Sequence, residues 1–160
     1  MCWFNRFEAI KTFKKKDFSD CFNLNLISAT EIIRAMHGKL KETQGAIVLF
    51  STVAAQKGFT NHSIISAAKA AVEGLTVALA AEFAPNVRIN CIAPSLSKSK
   101  MGEFLLKNEK IAEGIAKLHP LKRLGEGSDF SSIAKFLISE ESSWITGQII
   151  GVDGGRSSIA

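Results

Sequence analysis

The sequence predicts an α/β protein with a doubly wound parallel sheet, and two observations carry this prediction. Apolar runs of strand length alternate along the chain with longer segments whose apolar residues recur every three or four positions, as in amphipathic helices. The runs are apolar throughout rather than alternating, which is expected of parallel strands covered by helices on both faces. Successive strands of such a sheet are joined by right-handed crossovers.

The first half of the chain supplies two strands and two helices. A helix is predicted from about residue 17 to residue 41, because its apolar side chains return at helical spacing and lysines stand at its carboxyl end. The first strand follows at 46–50. A polar loop leads to an alanine-rich helix over 63–83, which Pro85 ends. The second strand covers 87–93.

The second half supplies two helices and one strand. A helix over 101–118 carries an apolar stripe, and a shorter helix is capped by Ser128 or Asp129. The third strand covers 145–152. The first strand is predicted to be central, yet only three strands are found, so the sheet is expected to lack neighbours on one side.

Length and composition favour one soluble domain. The chain has 160 residues, of which 46% are hydrophobic, and this is the size of a typical single domain. We therefore treat 1–160 as one partial domain, in which residues 1–16 have no clear period and stay unassigned. Three cysteines without a Cys-x-x-Cys pair predict neither a disulfide framework nor a metal site, and their odd number fits a reducing compartment.

Charge and hydropathy predict a cytoplasmic protein without membrane or nucleic-acid partners. No secretory signal is visible at the amino end, and the apolar stretch 45–55 is too short to span a bilayer. The net charge of +5 is spread along the chain. Only the run Lys14–Lys16 concentrates it, whereas nucleic-acid binding needs a basic face.

The chemistry is expected where the parallel strands end, because ligands of open α/β sheets bind there. This points to Ser51 and Thr52 after the first strand, to the segment 94–99 after the second, and to Asp153 after the third.

Five segments, taken together, resemble the short-chain dehydrogenase/reductase family, whose fold is Rossmann-like. They are Asn25-Leu26, the segment 47–52, the segment 66–76, the segment 87–94, and the segment 145–155 with its closing Asp153-Gly154-Gly155. The resemblance runs from about residue 17 to residue 155 and covers the carboxyl-terminal two-thirds of the family's fold. The family's amino-terminal strands and Gly-x-x-x-Gly-x-Gly turn have no counterpart, since Gly125, Gly127 and the glycines around the third strand are interpreted as turn glycines.

The resemblance also implies roles for four positions. Asn25 matches the asparagine that holds a water in a proton relay, unless it is only a polar residue on a helix face. Thr52 matches the family's serine, with Ser51 as the alternative if the register shifts by one, and either hydroxyl could simply end the strand. Lys69 matches the lysine that binds the nicotinamide ribose. The tyrosine four residues before that lysine is replaced by Ile65, and the chain contains no tyrosine.

Further candidates surround this set. His62 is a speculative replacement acid, because it lies on the helix face of Lys69 and histidine titrates near neutral pH; it also reads as an ordinary polar helix entry. Pro94 and Ser99 match the family loop that meets the nicotinamide, and Ser95 stands in that loop where the family usually has glycine. The helix 101–118 would then be the lid over an apolar substrate pocket, although its stripe fits plain core equally well.

The resemblance implies an NAD- or NADP-dependent oxidoreductase that transfers hydride between an alcohol and a carbonyl compound. The loss of the tyrosine and of the glycine turn predicts impaired activity. The alternative is a non-catalytic relative or a truncated, oligomer-forming fragment. Homo-oligomers are expected through the helices 17–41 and 63–83. His37 and His119 are both expected at the surface, away from the site.

Overall fold

The computed structural model describes residues 9–99 and 107–159. Within these ranges, three parallel strands form one sheet in the order β1–β2–β3. They are β1 at Ala46–Phe50, β2 at Arg88–Pro94 and β3 at Ile149–Val152. The predicted parallel α/β fold is therefore confirmed. The central strand of this sheet is β2 and not β1, which was predicted to be central and which pairs here with β2 alone.

The helices follow the predicted order. The described residues contain α1 at Lys15–Phe22, α2 at Ser28–Glu42, α3 at Ser63–Phe83, α4 at Glu109–Lys117 and α5 at Gly127–Ile138. The bounds predicted for α3 are confirmed. The helix predicted over 17–41 begins two residues earlier, where the Asp17 carboxylate accepts a hydrogen bond of 2.7 Å from the backbone of Lys14. It is also interrupted by a π-helical turn at Asn23–Ile27.

Three predicted boundaries in the second half differ from the structure. Helix α4 begins only at Glu109, and residues 100–106 of the predicted lid lie outside the described residues. The cap of α5 is Glu126 rather than Ser128 or Asp129, because Asp129 accepts a hydrogen bond from the Glu126 backbone. Strand β3 starts four residues later than predicted, since Gly147 has a φ of +70°, which breaks the extended backbone.

Strand β2 is buried on both faces. Five of its consecutive side chains are at most 1% exposed: Ile89, Asn90, Cys91, Ile92 and Ala93. Because neighbouring residues of a strand point to opposite faces, both faces of β2 are covered. Helix α3 packs on the strands with a stripe formed by Ile64, Ala68, Val72, Thr76 and Ala80, and α5 contributes the fully buried Leu137. Burial of this kind stabilises the fold by about 25 cal/mol per Å² of apolar surface.

Two polar side chains tie β2 to the chain that surrounds it. The buried amide of Asn90 donates to the carbonyl of Ile145 at 2.9 Å and accepts from the backbone of Gln148 at 3.0 Å. The Arg88 guanidinium donates to the carbonyls of Leu137 and Ser139, each at 2.9 Å. Both side chains therefore replace backbone hydrogen bonds at points where the sheet or a helix ends.

Replacing Asn90 by alanine is expected to destabilise the fold strongly. The substitution leaves the Gln148 backbone N–H without its partner and removes the closer of two donors from the Ile145 carbonyl. A backbone group that loses its partner away from water costs about 1–3 kcal/mol. Urea denaturation followed by circular dichroism measures the change. Asn86→Ala, in the turn before β2, is the control and should change the free energy of unfolding by less than about 0.5 kcal/mol. Equal effects of the two substitutions would contradict this role of Asn90.

Candidate active site

The carboxyl ends of the three strands meet at one edge of the sheet and form a crevice. The Ser51 backbone N–H donates to the carbonyl of Ile92 at 2.8 Å, so the loops after β1 and β2 begin side by side. Thr52 follows β1, Ser95 follows β2 and Asp153 follows β3. The structure thus places the three predicted segments at the edge where open α/β sheets bind their ligands.

The two hydroxyls after β1 have different surroundings. Ser51 is buried, and its Oγ lies 2.6 Å from Glu73 Oε1 and 3.3 Å from the Lys69 carbonyl oxygen. Thr52 is half-buried, and its Oγ1 accepts a hydrogen bond of 3.3 Å from the backbone of Ala54. That bond leaves the Thr52 hydroxyl proton to donate elsewhere. Of the two alternatives from the sequence, Thr52 is therefore the better suited to bind a substrate oxygen.

Glu73 is a site residue that sequence reasoning missed. Its carboxylate accepts one hydrogen bond from the Ser51 hydroxyl and another, of 3.0 Å, from the side-chain amide of Gln56. Helix α3 thereby holds the loop after β1 at two points, on either side of Thr52. The only signal in the sequence is an acidic side chain near the middle of a mostly apolar helix.

Lys69 reaches across from α3 to the end of β1. Its Nζ donates to the Phe50 carbonyl oxygen at 2.8 Å. Burial lowers the pKa of the ammonium group below its ordinary value. Ile65 lies one helical turn earlier on the same face and is half-buried. The structure therefore keeps the predicted lysine in place, beside a position that has no proton to transfer.

Asn25 lies in the π-helical turn between α1 and α2. Its Nδ2 donates to the Cys21 carbonyl at 2.9 Å and lies 3.5 Å from Cys21 Sγ. Burial raises the pKa of the Cys21 thiol, and the charge of Lys69 acts on that thiol. A π-helical turn often marks a functional position, and helical periodicity gives no sign of this one.

His62 stands at the amino end of α3, as predicted. Its Nδ1 lies 2.7 Å from the Thr60 carbonyl oxygen, so this nitrogen carries the proton. Its ring centre is 5.6 Å from that of Phe59. These contacts hold the ring toward the loop before α3.

The loop after β2 differs from its prediction in one respect. Pro94 ends the strand and Ser99 is exposed, but Ser95 hydrogen-bonds to His119, with 2.8 Å between Oγ and Nε2. His119 is 2% exposed, so its predicted surface location is wrong. It was missed because it follows a helix rather than a strand. His37 is exposed as expected, with its ring against Phe83.

A cavity of about 400 Å³ opens beside this pair, between the ends of β2 and β3. Asp153 lies in its wall. Burial acts to raise the pKa of this carboxyl, but hydrogen bonds from Ser157 and from the Gly155 backbone outweigh burial and bring the pKa below its ordinary value. Gly154 and Gly155 have φ of +61° and +84°, which confirms the turn glycines expected after β3.

Comparison with protein families gives one match that covers nearly the whole chain. The family model described as enoyl-(acyl carrier protein) reductase matches residues 3–157. A tropinone reductase homolog of Arabidopsis thaliana is 38% identical over 145 residues, which are 89% of this chain and 55% of the relative. Dehydrogenase/reductase SDR family member 4 of Homo sapiens is 38% identical over 119 residues, 74% of this chain and 43% of that protein. The chain spans about half the length of these relatives.

Several solved structures also align with almost the whole chain. ElxO with NADP bound has a TM-score of 0.87 and 28% identity, and covers 94% of this chain and 62% of its own. A 4-hydroxyisoleucine dehydrogenase mutant complexed with NADH and succinate has a TM-score of 0.89 and 25% identity, with 96% and 64% covered. Levodione reductase has a TM-score of 0.89 and 28% identity, with 96% and 62% covered.

The lowered pKa of Asp153 predicts an acid-dependent contribution to stability. A carboxylate whose folded pKa lies below its unfolded value of about 3.8 stabilises the fold above that pH and loses this contribution as the pH falls through the folded pKa. Asp153→Asn should therefore lower the urea midpoint most at neutral pH, and the difference should shrink below about pH 4. A difference that stays constant between neutral and acidic pH would contradict the role assigned to this carboxylate.

Proposed function

Because this chain belongs to the short-chain dehydrogenase/reductase family, an oxidoreductase family with a Rossmann-like fold, we propose that it contains the catalytic part of a nicotinamide-dependent oxidoreductase whose proton transfer is impaired. The single observation behind this proposal is the pairing of a retained lysine with a lost tyrosine. Lys69 is anchored at the end of β1, while Ile65, one turn before it, offers no acid. The substrate class is an alcohol or a carbonyl compound.

Each retained side chain has a role that fits its surroundings. The Thr52 hydroxyl donates to the substrate oxygen and polarises it. Lys69 uses one N–H bond on the Phe50 carbonyl and retains two donors for ribose hydroxyls. Asn25, at the π-helical turn, orients a water that leads protons toward Lys69. No side chain of this set replaces the phenol that would protonate the substrate oxygen.

The crevice fits the nicotinamide end of NAD or NADP. The half-buried ammonium of Lys69 with unused donors supports this assignment, together with Pro94, Ser95 and Ser99 in the loop after β2. When bound, the cofactor supplies or accepts a hydride at its nicotinamide ring. The present sequence contains no Gly-x-x-x-Gly-x-Gly turn for the pyrophosphate, and we therefore expect this chain to hold the cofactor weakly.

A second candidate is a non-catalytic relative of these enzymes, whose role is association. Ile65 favours this alternative, because a side chain without a titratable group stands where the acid is needed. Both alternatives are compatible with a cytoplasmic location, which the free thiols of Cys21 and Cys91 support.

Self-association is supported by the outward face of α3. This helix is long and apolar enough to span a membrane by length and composition, and its exposed face is made mostly of small apolar residues: Ala67, Ala70, Gly74, Val77, Ala78 and Ala81. Val77 is 52% exposed, and on α2 Ile32 is 60% exposed. Such broad apolar surface on two helices is typical of a face covered in an assembly. We propose a second copy of the chain as the cover.

Charge placed on this face is expected to separate the copies. Val77→Glu should shift the chain toward monomer in light scattering at tens of micromolar, because burying the carboxylate in an apolar contact is costly. Lys135→Glu on α5 is the control and should leave the mass unchanged. A wild-type chain that is already monomeric at that concentration would contradict the proposal.

The chain of 160 residues is expected to show no micromolar affinity for NADPH. Backbone N–H groups of a glycine turn normally bind the pyrophosphate at a helix amino end, and without that turn only the residues proposed for the nicotinamide end would hold the cofactor. Isothermal titration calorimetry measures the affinity, with Lys69→Met as the control that removes the residual contact. A micromolar dissociation constant for the wild-type chain would contradict this expectation.

Restoring the phenol is expected to raise carbonyl reduction. In a chain joined to the glycine-turn half of a related reductase, so that NADPH binds, Ile65→Tyr should increase the rate by up to about 10²–10⁴, the usual contribution of a positioned acid. The gain should disappear with Lys69→Met, because the ammonium charge lowers the pKa of the neighbouring phenol. Single-turnover oxidation of NADPH is the readout.

His62→Ala in the same joined chain tests whether His62 serves as the acid. If His62 serves as the acid, its loss abolishes activity with Ile65 in place and matters little once tyrosine is present. If Ile65→Tyr changes nothing although NADPH binds, the assignment of residues 52–69 to hydride-transfer chemistry is wrong, and the non-catalytic alternative is favoured.

A further inference from the structure

Ser95, assigned above to the loop that meets the nicotinamide, is hydrogen-bonded to His119, and this serine–histidine pair takes no part in the proposed hydride transfer. Ser95 Oγ lies 2.8 Å from His119 Nε2, which is the separation at which a histidine accepts the proton of a nucleophilic serine. His119 is 2% exposed, whereas Ser95 is half-buried. The base is thus shielded from water while the hydroxyl lines a cavity.

The other contact of His119 fixes the tautomer of its ring. Nδ1 lies 2.9 Å from the Ile115 carbonyl oxygen at the end of α4. A carbonyl oxygen only accepts hydrogen bonds, so Nδ1 carries the proton of the neutral imidazole and Nε2 carries a lone pair. The Ser95 hydroxyl must therefore donate to Nε2. Ser95, His119 and the Ile115 carbonyl are thus placed as a nucleophile, its base and the group that orients the base, which is the arrangement found in acyl-transfer enzymes.

The cavity next to Ser95 suits a small, uncharged ligand. Its volume of about 400 Å³ lies within the range of small-molecule sites. Among its charged wall residues, Arg123 forms two hydrogen bonds with Asp129, at 2.7 and 2.8 Å. The Asp153 carboxylate accepts hydrogen bonds from Gly155 and Ser157. The Arg123–Asp129 pair is neutral overall, the Asp153 carboxylate keeps a negative charge that disfavours anionic ligands, and Leu96 and Leu121 add apolar surface.

We propose that Ser95 and His119 form a second catalytic site, which cleaves small neutral esters by way of an acyl-serine. Ser95 Oγ bonds to the ester carbonyl carbon as its proton moves to His119 Nε2. The bond to the alcohol oxygen breaks, and that oxygen takes the proton from Nε2. A water molecule, deprotonated by His119, then attacks the acyl group and releases the carboxylic acid and free Ser95. Ester and water give acid and alcohol, and no cofactor takes part.

Two probes test this proposal on the 160-residue chain itself. With p-nitrophenyl acetate, we expect a burst of p-nitrophenol of about one equivalent per chain, as expected when an acyl-enzyme accumulates. With an alkyl fluorophosphonate, we expect covalent labelling that peptide mass spectrometry locates on Ser95. His119→Gln should slow acylation by about 10²–10⁴, the usual contribution of a general base.

Matched controls separate the pair from general surface reactivity. Ser95→Ala should abolish both the burst and the label, whereas Ser97→Ala in the same loop and His37→Gln on the surface should keep them. Circular dichroism verifies that each variant is folded, and if His119→Gln does not fold, Ser95→Ala and the labelled peptide still decide. A burst unchanged in Ser95→Ala, or a label spread over lysines and other serines, would overturn the proposal and leave a structural hydrogen bond.

Discussion

The pairing of β2 on both of its edges is the constraint on which the rest of this structure depends. Its main chain bonds to β1 on one side and to β3 on the other, and helices cover both of its faces. A strand in that position has no exposed backbone group along its length, so it fixes the directions of both neighbours. Asn90 extends the pairing beyond β3, to the segment before it.

The site follows from this sheet. Because all three strands are parallel, their loops leave at one edge, and the side chains after β1, β2 and β3 become neighbours without being close in sequence. Helix α3 then adds Lys69 and Glu73 from above the sheet, each bonded to the end of β1 or its loop. The result is a site with its orienting groups in place. Ile65, one helical turn before Lys69, has a side chain that cannot transfer a proton.

The sequence predicts most of this fold, because apolar periodicity records burial directly. The bounds of β1 and α3 are correct for that reason, and so are the turn glycines after β3. Periodicity carries no information on backbone dihedral angles, so the late start of β3, set by the positive φ of Gly147, is not predicted. The same limit applies to the π-helical turn around Asn25, where apolar spacing continues across the interruption.

The residues of the candidate site also divide into those that the sequence predicts and those that it does not. Thr52, Lys69 and Ile65 are identified by the resemblance of their segments to family motifs, and one strand end and one helix fix where they lie. His119 and Glu73 are not found, because each acts through a partner that only the tertiary structure brings near. His119 in particular follows a helix in sequence but is buried against the loop after β2, and no local pattern distinguishes it from a surface histidine.

Amide hydrogen exchange on the chain tests most directly the claim that the sheet around β2 holds the site rigid. The decisive amides are those of Ser51, Cys91 and Gly147, which donate to carbonyl oxygens across the sheet on the two sides of β2. We predict that they exchange most slowly in the molecule and open with one common free energy, that of global unfolding. Exchange of these amides at rates typical of an unstructured peptide, while α3 stays protected, would contradict the claim.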